Sequence, residues 1–253
     1  MNLVRTMLLL ASCFSTAAAF AQQAPEGGDT LSTKATDPTA SLMTFGFIPS
    51  WIDLHEPVPG QPGHAMELKL QPVIPFEAFG VSNILRVSLP WQFEGPGDEG
   101  LKDIAVFNLT VFEQSWGRWG IGPVMNFATG DNAPDSFAIG PAVGFVANAG
   151  ENLKRGLFSQ NLFAEETAIT QIQPVAAYQL GAGWALSAGD LQFTYDWNQS
   201  RWINVPLGFQ LGKVTEIAGQ PIRFAVNPQY NVVDEMGYPG WKVSLSATLL
   251  VPR

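Results

Sequence analysis

The chain has 253 residues, of which 46% are hydrophobic, 11% are aromatic and only 14% are charged, and its formal net charge is −9. Because nucleic acids bind to basic surfaces, an acidic chain of this kind is expected to have no nucleic-acid partner. Cys13 is the one cysteine, which excludes a framework of internal disulfide bonds and a cysteine-based metal site.

The first 21 residues have the pattern of a secretory signal peptide. Arg5 forms a short basic region, an apolar run begins at Met7, and Ala19–Ala21 fits a cleavage site. An alternative interpretation takes Leu10–Cys13 as a lipoprotein cleavage site, although the apolar run continues past it. Under the first interpretation the mature chain keeps 232 of the 253 residues and has no cysteine.

Residues 22–39 differ in composition from the rest of the chain. They are rich in Gly, Pro, Thr and Asp and have no hydrophobic periodicity, so we predict a flexible N-terminal segment. Beyond the first 21 residues, the sequence holds no run of about eighteen apolar residues, which a transmembrane helix requires. Residues 40–253 are therefore expected to form one domain without membrane-spanning helices.

Apolar residues alternate with small or polar ones throughout 40–253. In Ile203–Lys213 the apolar side chains share one parity, while Asn, Pro, Gly and Gln share the other, which is the period of a β-strand. Six further segments alternate clearly: Met66–Phe76, Leu85–Phe93, Trp119–Phe127, Phe137–Phe145, Ile222–Val232 and Trp241–Val251. Less regular strands are predicted near 41–51, 102–113, 154–165, 168–180 and 183–197. The last is expected to carry a bulge at Gly189–Asp190, where the parity changes.

Two folds could use such strands, and the polar faces separate them. A soluble β-sandwich would place Lys, Glu and Thr on its outer faces, whereas these faces carry mainly Gly, Ala, Ser, Asn and Gln, which suit a crowded barrel interior. Tryptophans near the predicted strand ends fit interfacial girdles, although they would also fit an ordinary β-core: Trp51, Trp91, Trp119, Trp184, Trp197, Trp202 and Trp241. We therefore predict an all-β chain that forms a single antiparallel up-and-down transmembrane β-barrel of about 12 strands over 40–253.

The connections between the predicted strands alternate in length. Glu94–Gly100 and Thr129–Ser136 are long, whereas Glu77–Gly80 and Gly181–Gly183 are short. Outer-membrane barrels have long extracellular loops and short periplasmic turns. We therefore expect a periplasmic N-terminus and a location in the outer membrane of a Gram-negative bacterium.

Several motifs together resemble a known family. They are LQPVIPF (Leu70–Phe76), GIGPVMNFATG (Gly120–Gly130), AIGPAVGFV (Ala138–Val146), WINVPLGFQLGKV (Trp202–Val214) and NPQYNVV (Asn227–Val233). From about Leu42 to Arg253, the chain is similar to largely uncharacterised bacterial outer-membrane proteins related to those encoded with meta-cleavage phenol degradation pathways. The resemblance implies an outer-membrane β-barrel with a transport role, and it supplies no catalytic or ligand-binding residues.

Fourteen polar residues are predicted to line the barrel interior: Glu67, Lys69, Gln71, Arg86, Arg118, Asn126, Gln171, Gln173, Asn204, Gln210, Arg223, Asn227, Gln229 and Asn231. They form either a mildly cationic lining that selects small solutes or a packed interior whose groups satisfy one another. Glu67 is the only acid recognised beside three inward arginines. Since an unpaired charge needs water, this imbalance favours a water-filled lumen.

The favoured function is a passive or weakly selective channel for small molecules, with apolar or aromatic solutes suggested by the resemblance. A non-conducting structural barrel is the alternative. A lipid-modifying outer-membrane enzyme is a third possibility, because the first outer loop brings together Ser50, Asp53, His55, Glu56 and His64. Loop histidines beside Pro and Gly are more often solvated surface residues, and no hydrolase, nucleotide or zinc motif occurs. No enzymatic activity, catalytic residue, cofactor or metal is therefore predicted.

Acidic residues concentrate in the predicted outer loops: Asp53, Glu56, Glu94, Asp98, Glu99, Asp131, Asp135, Glu165, Glu166, Asp196, Asp234 and Glu235. Solvation of the loops accounts for them, and a sharper alternative is that divalent cations bridge them to lipopolysaccharide phosphates. The expected partners are outer-membrane lipid and lipopolysaccharide, the barrel-insertion machinery and an unidentified small-molecule solute.

Overall fold

The computed structural model describes residues 28–57, 59–129, 137–233 and 238–251. Among these described residues, one helix, α1 (Gly28–Lys34), precedes the sheet. The strands are β1 (Met43–Leu54), β2 (His64–Ala78), β3 (Val81–Glu94), β4 (Gly100–Leu101), β5 (Ile104–Gln114), β6 (Gly117–Phe127), β7 (Phe137–Asn148), β8 (Leu153–Phe163), β9 (Ala168–Gly181), β10 (Trp184–Ser187), β11 (Phe193–Asp196), β12 (Arg201–Asn204), β13 (Pro206–Gly208), β14 (Gln210–Ile217), β15 (Gln220–Asn231) and β16 (Pro239–Val251).

These segments form a closed antiparallel barrel of 12 strands, which confirms the predicted fold. The barrel closes where β16 pairs with β1, beginning at the Met43–Val251 pair. Two of the twelve strands are interrupted. One consists of β10 and β11, which both pair with β9, and the next consists of β12, β13 and β14. Segment β4 is a short extension beside β3.

The apolar parity of the strands faces outward. In Ile203–Lys213, Leu207 and Phe209 are 58% and 49% exposed, whereas Pro206 and Gly212 are buried. Exposed tryptophans lie near both rims of the barrel: Trp51, Trp91, Trp116, Trp184, Trp197, Trp202 and Trp241. An apolar exterior of this extent is unfavourable in water and suits the hydrocarbon and interfacial zones of a membrane.

One rim carries short turns and the other carries longer connections. Phe79–Gly80, Ala182–Gly183 and Ala218–Gly219 each join two strands with two residues in positive φ, which is the backbone of type I′ hairpins. At the opposite rim, residues 55–63 and 95–103 connect neighbouring strands. We call these the short-turn rim and the long-loop rim. Their asymmetry follows the alternation of lengths in the sequence.

Residues 188–192 leave the sheet between β10 and β11, and we call them the Asp190 loop. Ser187 pairs with Ala177 and Phe193 pairs with Ile172, so the interrupted strand carries one more residue than β9 between these pairs. This extra residue agrees with the predicted change of parity. The interruption is longer than the predicted bulge. Ala188 still donates a backbone hydrogen bond to Ala176 of β9 at 2.8 Å, and the loop beyond it reaches Lys69 in the barrel interior through Asp190.

Residues 28–42 lie inside the barrel, and we call them the N-terminal plug. Leu31, Ala40 and Leu42 pack against Val214 and Leu250 of the barrel wall in one buried cluster. The sequence predicts a flexible segment over 22–39; residues 22–27 lie outside the described residues, but residues 28–39 depart from this prediction. A segment this short and polar has no core of its own, so its order comes from the wall that encloses it.

The barrel interior has an apolar side and a polar side. Strands β3 and β5–β8 contribute one buried apolar cluster: Ile84, Phe107, Leu109, Val111, Val124, Ala138, Ala142, Phe158 and Leu162. Buried polar groups come mainly from the opposite wall, including Ser50, Arg223, Asn227, Gln229, Asn231 and Ser244. The sequence does not indicate the apolar half clearly, because β5 is apolar on both parities over much of its length. Any solute path therefore follows the polar wall.

Candidate functional site: the barrel lumen

The fourteen residues predicted to line the lumen all lie on described strands and are buried or half-buried. The structure brings six of them to one cavity, the inner cavity: Gln71, Arg86, Gln173, Gln210, Arg223 and Asn227. Three others border a second cavity, the outer cavity: Asn204, Gln229 and Asn231. The remaining five border neither cavity: Glu67, Lys69, Arg118, Asn126 and Gln171. Their role in a solute path stays a prediction.

A buried carboxylate fastens the N-terminal plug to the barrel wall. The side chain of Asp37 is 2% exposed, and its Oδ2 lies 2.6 Å from Nη2 of Arg118 and 3.7 Å from Nζ of Lys154. Its Oδ1 accepts hydrogen bonds from the backbone N–H of Thr39, at 2.8 Å, and from the Thr39 hydroxyl, at 2.6 Å. A buried charge with this many partners is stable, whereas the same charge without them would be costly.

The Asp190 loop places a second carboxylate in the lumen. Oδ2 of Asp190 lies 3.0 Å from Nζ of Lys69, which extends from β2 across the interior. Gln173 donates a hydrogen bond to the carbonyl oxygen of Gly189 at 3.3 Å. A Cβ at Gly189 would lie 2.8 Å from Asn227 Nδ2, and the φ of +66° there is a left-handed value. Glycine therefore permits both the loop's bend and its close approach to the wall.

Two arginines border the inner cavity. The guanidinium of Arg86 lies over the rings of Phe107 and Phe158, with its Cζ 4.2 and 5.7 Å from their centroids, which is cation–π geometry. Nη2 of Arg223 donates to Oε1 of Gln210 at 2.8 Å. A Cβ at position 212 would lie 2.5 Å from that Nη2, so the absence of a side chain at Gly212 makes room for the guanidinium.

The two cavities lie on either side of Asp190, which borders both. The inner cavity, of about 100 Å³, extends from Asp190 to the N-terminal plug. The outer cavity, of about 180 Å³, extends from Asp190 towards the long-loop rim and includes Lys242. Since liquid water occupies about 30 Å³ per molecule, these spaces hold a few waters each. The lumen is narrow along these two cavities, where the plug and the Asp190 loop occupy it. A wider cavity of about 510 Å³ lies between Thr39 of the plug and the wall at the short-turn rim.

The sequence underestimates the acids inside the barrel. It recognises only Glu67 beside the inward arginines, whereas Asp37 pairs with Arg118 and Asp190 lies near Arg86 and Arg223. It also leaves Lys154 and Lys242 out of the predicted set, although both point inward. The argument that unpaired arginines require open water is therefore wrong for Arg118. Its acid lies in the polar lead-in, and only the folded chain brings the two together.

The residues that suggested a hydrolase do not assemble into a catalytic site. Oγ of Ser50 lies 2.8 Å from Oγ of Ser244 in the barrel interior. Nε2 of His55 lies 2.7 Å from the carbonyl oxygen of Asn231, and Nε2 of His64 lies 3.0 Å from Oε1 of Glu94. A serine nucleophile needs a histidine within hydrogen-bond reach, and Ser50 has a serine there instead.

The loop acids show no arrangement for a metal ion within the described residues. No group of three or more His, Cys, Asp or Glu side chains converges there. Glu94 contacts His64, and Asp196 accepts hydrogen bonds from the backbone and side chain of Gln199 at 2.9 and 2.8 Å. Four of the predicted loop acids lie outside the described residues: Asp131, Asp135, Asp234 and Glu235.

In the part of the chain that the structure describes, no helix has the length and apolar character needed to cross a membrane. No family model matches the sequence, and no curated protein matches it. The similarity to the phenol-pathway family therefore stays a prediction.

Solved structures share the backbone of the barrel. Outer membrane phospholipase A from Escherichia coli is 12% identical, with a TM-score of 0.50, over 83% of this chain and 98% of that one. KdgM porin is 10% identical, with a TM-score of 0.47, over 83% of this chain and 99% of that one. The similarity to the phospholipase extends to the fold alone at this identity. The chain has the fold of an outer-membrane β-barrel. The location in the outer membrane and the contact with its lipid stay predictions, which the apolar exterior of the barrel supports.

Proposed function

We propose that the barrel is a narrow channel for small solutes with a preference for anions. The observation that carries this proposal is the charge around the Asp190 loop. Four cations interact electrostatically with Asp190 or border the same cavities: Lys69, Arg86, Arg223 and Lys242. The acids in this part of the described lumen are Asp190, Glu67 and Asp37, and Asp37 is already paired with Arg118 and Lys154. An excess of positive charge along a narrow path attracts anions and repels cations.

The size of the cavities supports a small solute. The inner cavity of about 100 Å³ fits a few waters or one small ion. The outer cavity of about 180 Å³ is large enough for one aromatic ring, since a cavity of about 150 Å³ binds benzene in another protein. Small aromatic acids are thus compatible with the outer cavity, whereas their passage past Asp190 requires the loop or the plug to move.

Measurement of ion selectivity tests the proposal. We place the purified protein in a planar bilayer under a KCl gradient. The reversal potential should have the same sign as the Nernst potential of chloride, which indicates that chloride permeates more readily than potassium. Lys69→Gln should lower the anion preference and Asp190→Asn should raise it, each by about threefold or more, because one charge within several ångströms contributes on the order of 1 kcal/mol. Lys213→Gln is the matched control, since Lys213 lies outside the barrel over Trp184. Equal permeation of both ions, or the same change in all three variants, would contradict the proposal.

A non-conducting structural barrel is the second candidate, and the N-terminal plug is the observation that favours it. The plug and the apolar cluster together fill much of the interior. An absence of conductance above the lipid baseline, together with no solute uptake in liposome swelling, would favour this candidate.

We propose no catalytic step, because the hydroxyl of Ser50 contacts Ser244 and neither histidine.

A further inference from the structure

The two guanidinium groups at the inner cavity have few partners among the described residues. Arg223 is 3% exposed; its Nη2 donates to Gln210, but its Nε has no hydrogen-bond partner. Within the described ranges, Arg86 contacts the two phenylalanine rings but makes no hydrogen bond or ion pair. A buried guanidinium N–H without an acceptor, such as Nε of Arg223, is costly, so an acceptor is expected beside it.

Asp190 does not fill this need. Its carboxylate forms the ion pair with Lys69 at 3.0 Å, and it lies farther than an ion-pair distance from both arginines. The same carboxylate also interacts electrostatically with Lys242. Asp190 is thus shared among four cations, and Asp37, which also borders the inner cavity, is paired with Arg118 and Lys154. With Glu67 counted as well, these three acids leave this part of the lumen with an excess of positive charge.

We infer that the inner cavity binds one small monovalent anion, of the class of chloride or a short carboxylate, between Arg86 and Arg223. The amides of Gln71 and Gln173 border the same cavity; each donates one N–H to a protein oxygen, of Ser88 and Gly189 respectively, and has a second N–H for the ion. About 100 Å³ accommodates such an ion with one or two waters, and it excludes a sugar acid. The site deepens the proposed function and rests on it, because an anion that moves through the lumen along the polar wall would pass between Arg86 and Arg223.

The wall is shaped for the arginine at this site. A Cβ at position 212 would occupy the space of the Arg223 guanidinium, and a Cβ at position 189 would collide with Asn227 and Gln210. Both glycines therefore preserve space around the guanidinium and the cavity, where bulkier residues would close it. This is independent of the charge argument and points to the same place.

Chloride binding can be measured on the purified full-length chain in detergent by the broadening of the ³⁵Cl resonance. We expect excess broadening that formate displaces and that gluconate, at equal ionic strength, does not. Arg223→Gln and Arg86→Gln should each weaken chloride binding by about tenfold or more, since a charge-assisted hydrogen bond is lost. Lys213→Gln removes the same charge from the exterior and should leave the broadening unchanged.

The controls keep a folding failure separate from a lost site. Each variant is accepted only if its boiled and unboiled samples differ in gel mobility as those of the unaltered chain do, which indicates a folded barrel. The displacement of chloride from the unaltered chain needs no variant at all. An unaltered chain without excess broadening, broadening displaced equally by formate and gluconate, or the same broadening in Arg223→Gln and Arg86→Gln as in the unaltered chain would overturn the site.

The site and the proposed function can fail separately. Specific chloride binding in a barrel that conducts nothing would support the site and reject the channel. Anion-selective conductance in a barrel without specific chloride binding would keep the channel and reject the site. Bilayer recordings and resonance broadening on the same preparation therefore decide each question on its own measurement.

Discussion

At the scale of single residues, Gly189 is the position where one side chain would alter the lumen most directly. Gly189→Ala should lower the free energy of unfolding by about 1–2 kcal/mol from the left-handed φ and by about 1–3 kcal/mol more from overpacking. The added Cβ would meet Asn227 and Gln210. Urea unfolding in lipid vesicles, followed by tryptophan fluorescence, measures the loss.

Gly219→Ala is the matched control for Gly189→Ala. Gly219 also has a positive φ, of +79°, but nothing lies within 4 Å of the position of its Cβ. It should show only the conformational cost. Equal losses for the two variants would mean that the Asp190 loop does not press against the barrel wall in solution.

At the scale of elements, the N-terminal plug depends on the carboxylate of Asp37. Asp37→Asn would leave Arg118 and Lys154 without this anion, and loss of one partner of a buried pair costs about 3–5 kcal/mol. We therefore expect the plug to leave the lumen in a large fraction of molecules. Single-channel conductance should rise, and trypsin should cut after Lys34, which mass spectrometry detects.

Asp196→Asn is the control for the plug, because Asp196 lies at the long-loop rim and bonds to Gln199. It should change neither conductance nor cleavage after Lys34. A folded Asp37→Asn variant with unchanged conductance and no new cleavage would show that the ion pair does not hold the plug in place.

The sequence predicts the wall of this barrel well and its contents poorly, for a physical reason. Alternation is a local property, so the two faces of Ile203–Lys213 are evident from eleven residues, and the composition of the polar faces along the rest of the chain predicts that the apolar face points outward. The plug is a long-range property. Asp37 lies 81 residues from Arg118, and Asp190 lies 121 residues from Lys69. A polar lead-in and a Gly-Asp bulge show no sign of such partners until the barrel closes around them.

At the scale of the whole molecule, the interior combines an apolar packed side with a polar side that contains cavities. The wall of β3 and β5–β8 packs an apolar cluster, as the interior of a small filled barrel does, while the opposite wall keeps charged and amide groups around cavities. The apolar half stabilises the structure through packing. The polar half can therefore carry unpaired charge around the cavities, and the proposed preference for anions depends on this half alone.

The orientation of the barrel in the membrane follows from its two rims. If the long loops are extracellular, the plug enters from the periplasm. Asn132 and Glu235, in two predicted outer loops, lie outside the described residues, and two described positions mark the rims instead. Glu99→Cys is exposed at the long-loop rim and Ser115→Cys is exposed at the short-turn rim. An impermeant maleimide on intact cells should label Glu99→Cys and should reach Ser115→Cys only after the cells are broken.

The parent chain serves as the blank, since Cys13 falls within the predicted signal peptide. Labelling of Ser115→Cys alone on intact cells would reverse the orientation and place the plug at the cell surface, and equal labelling of both would mean that the chain forms no barrier between the two rims.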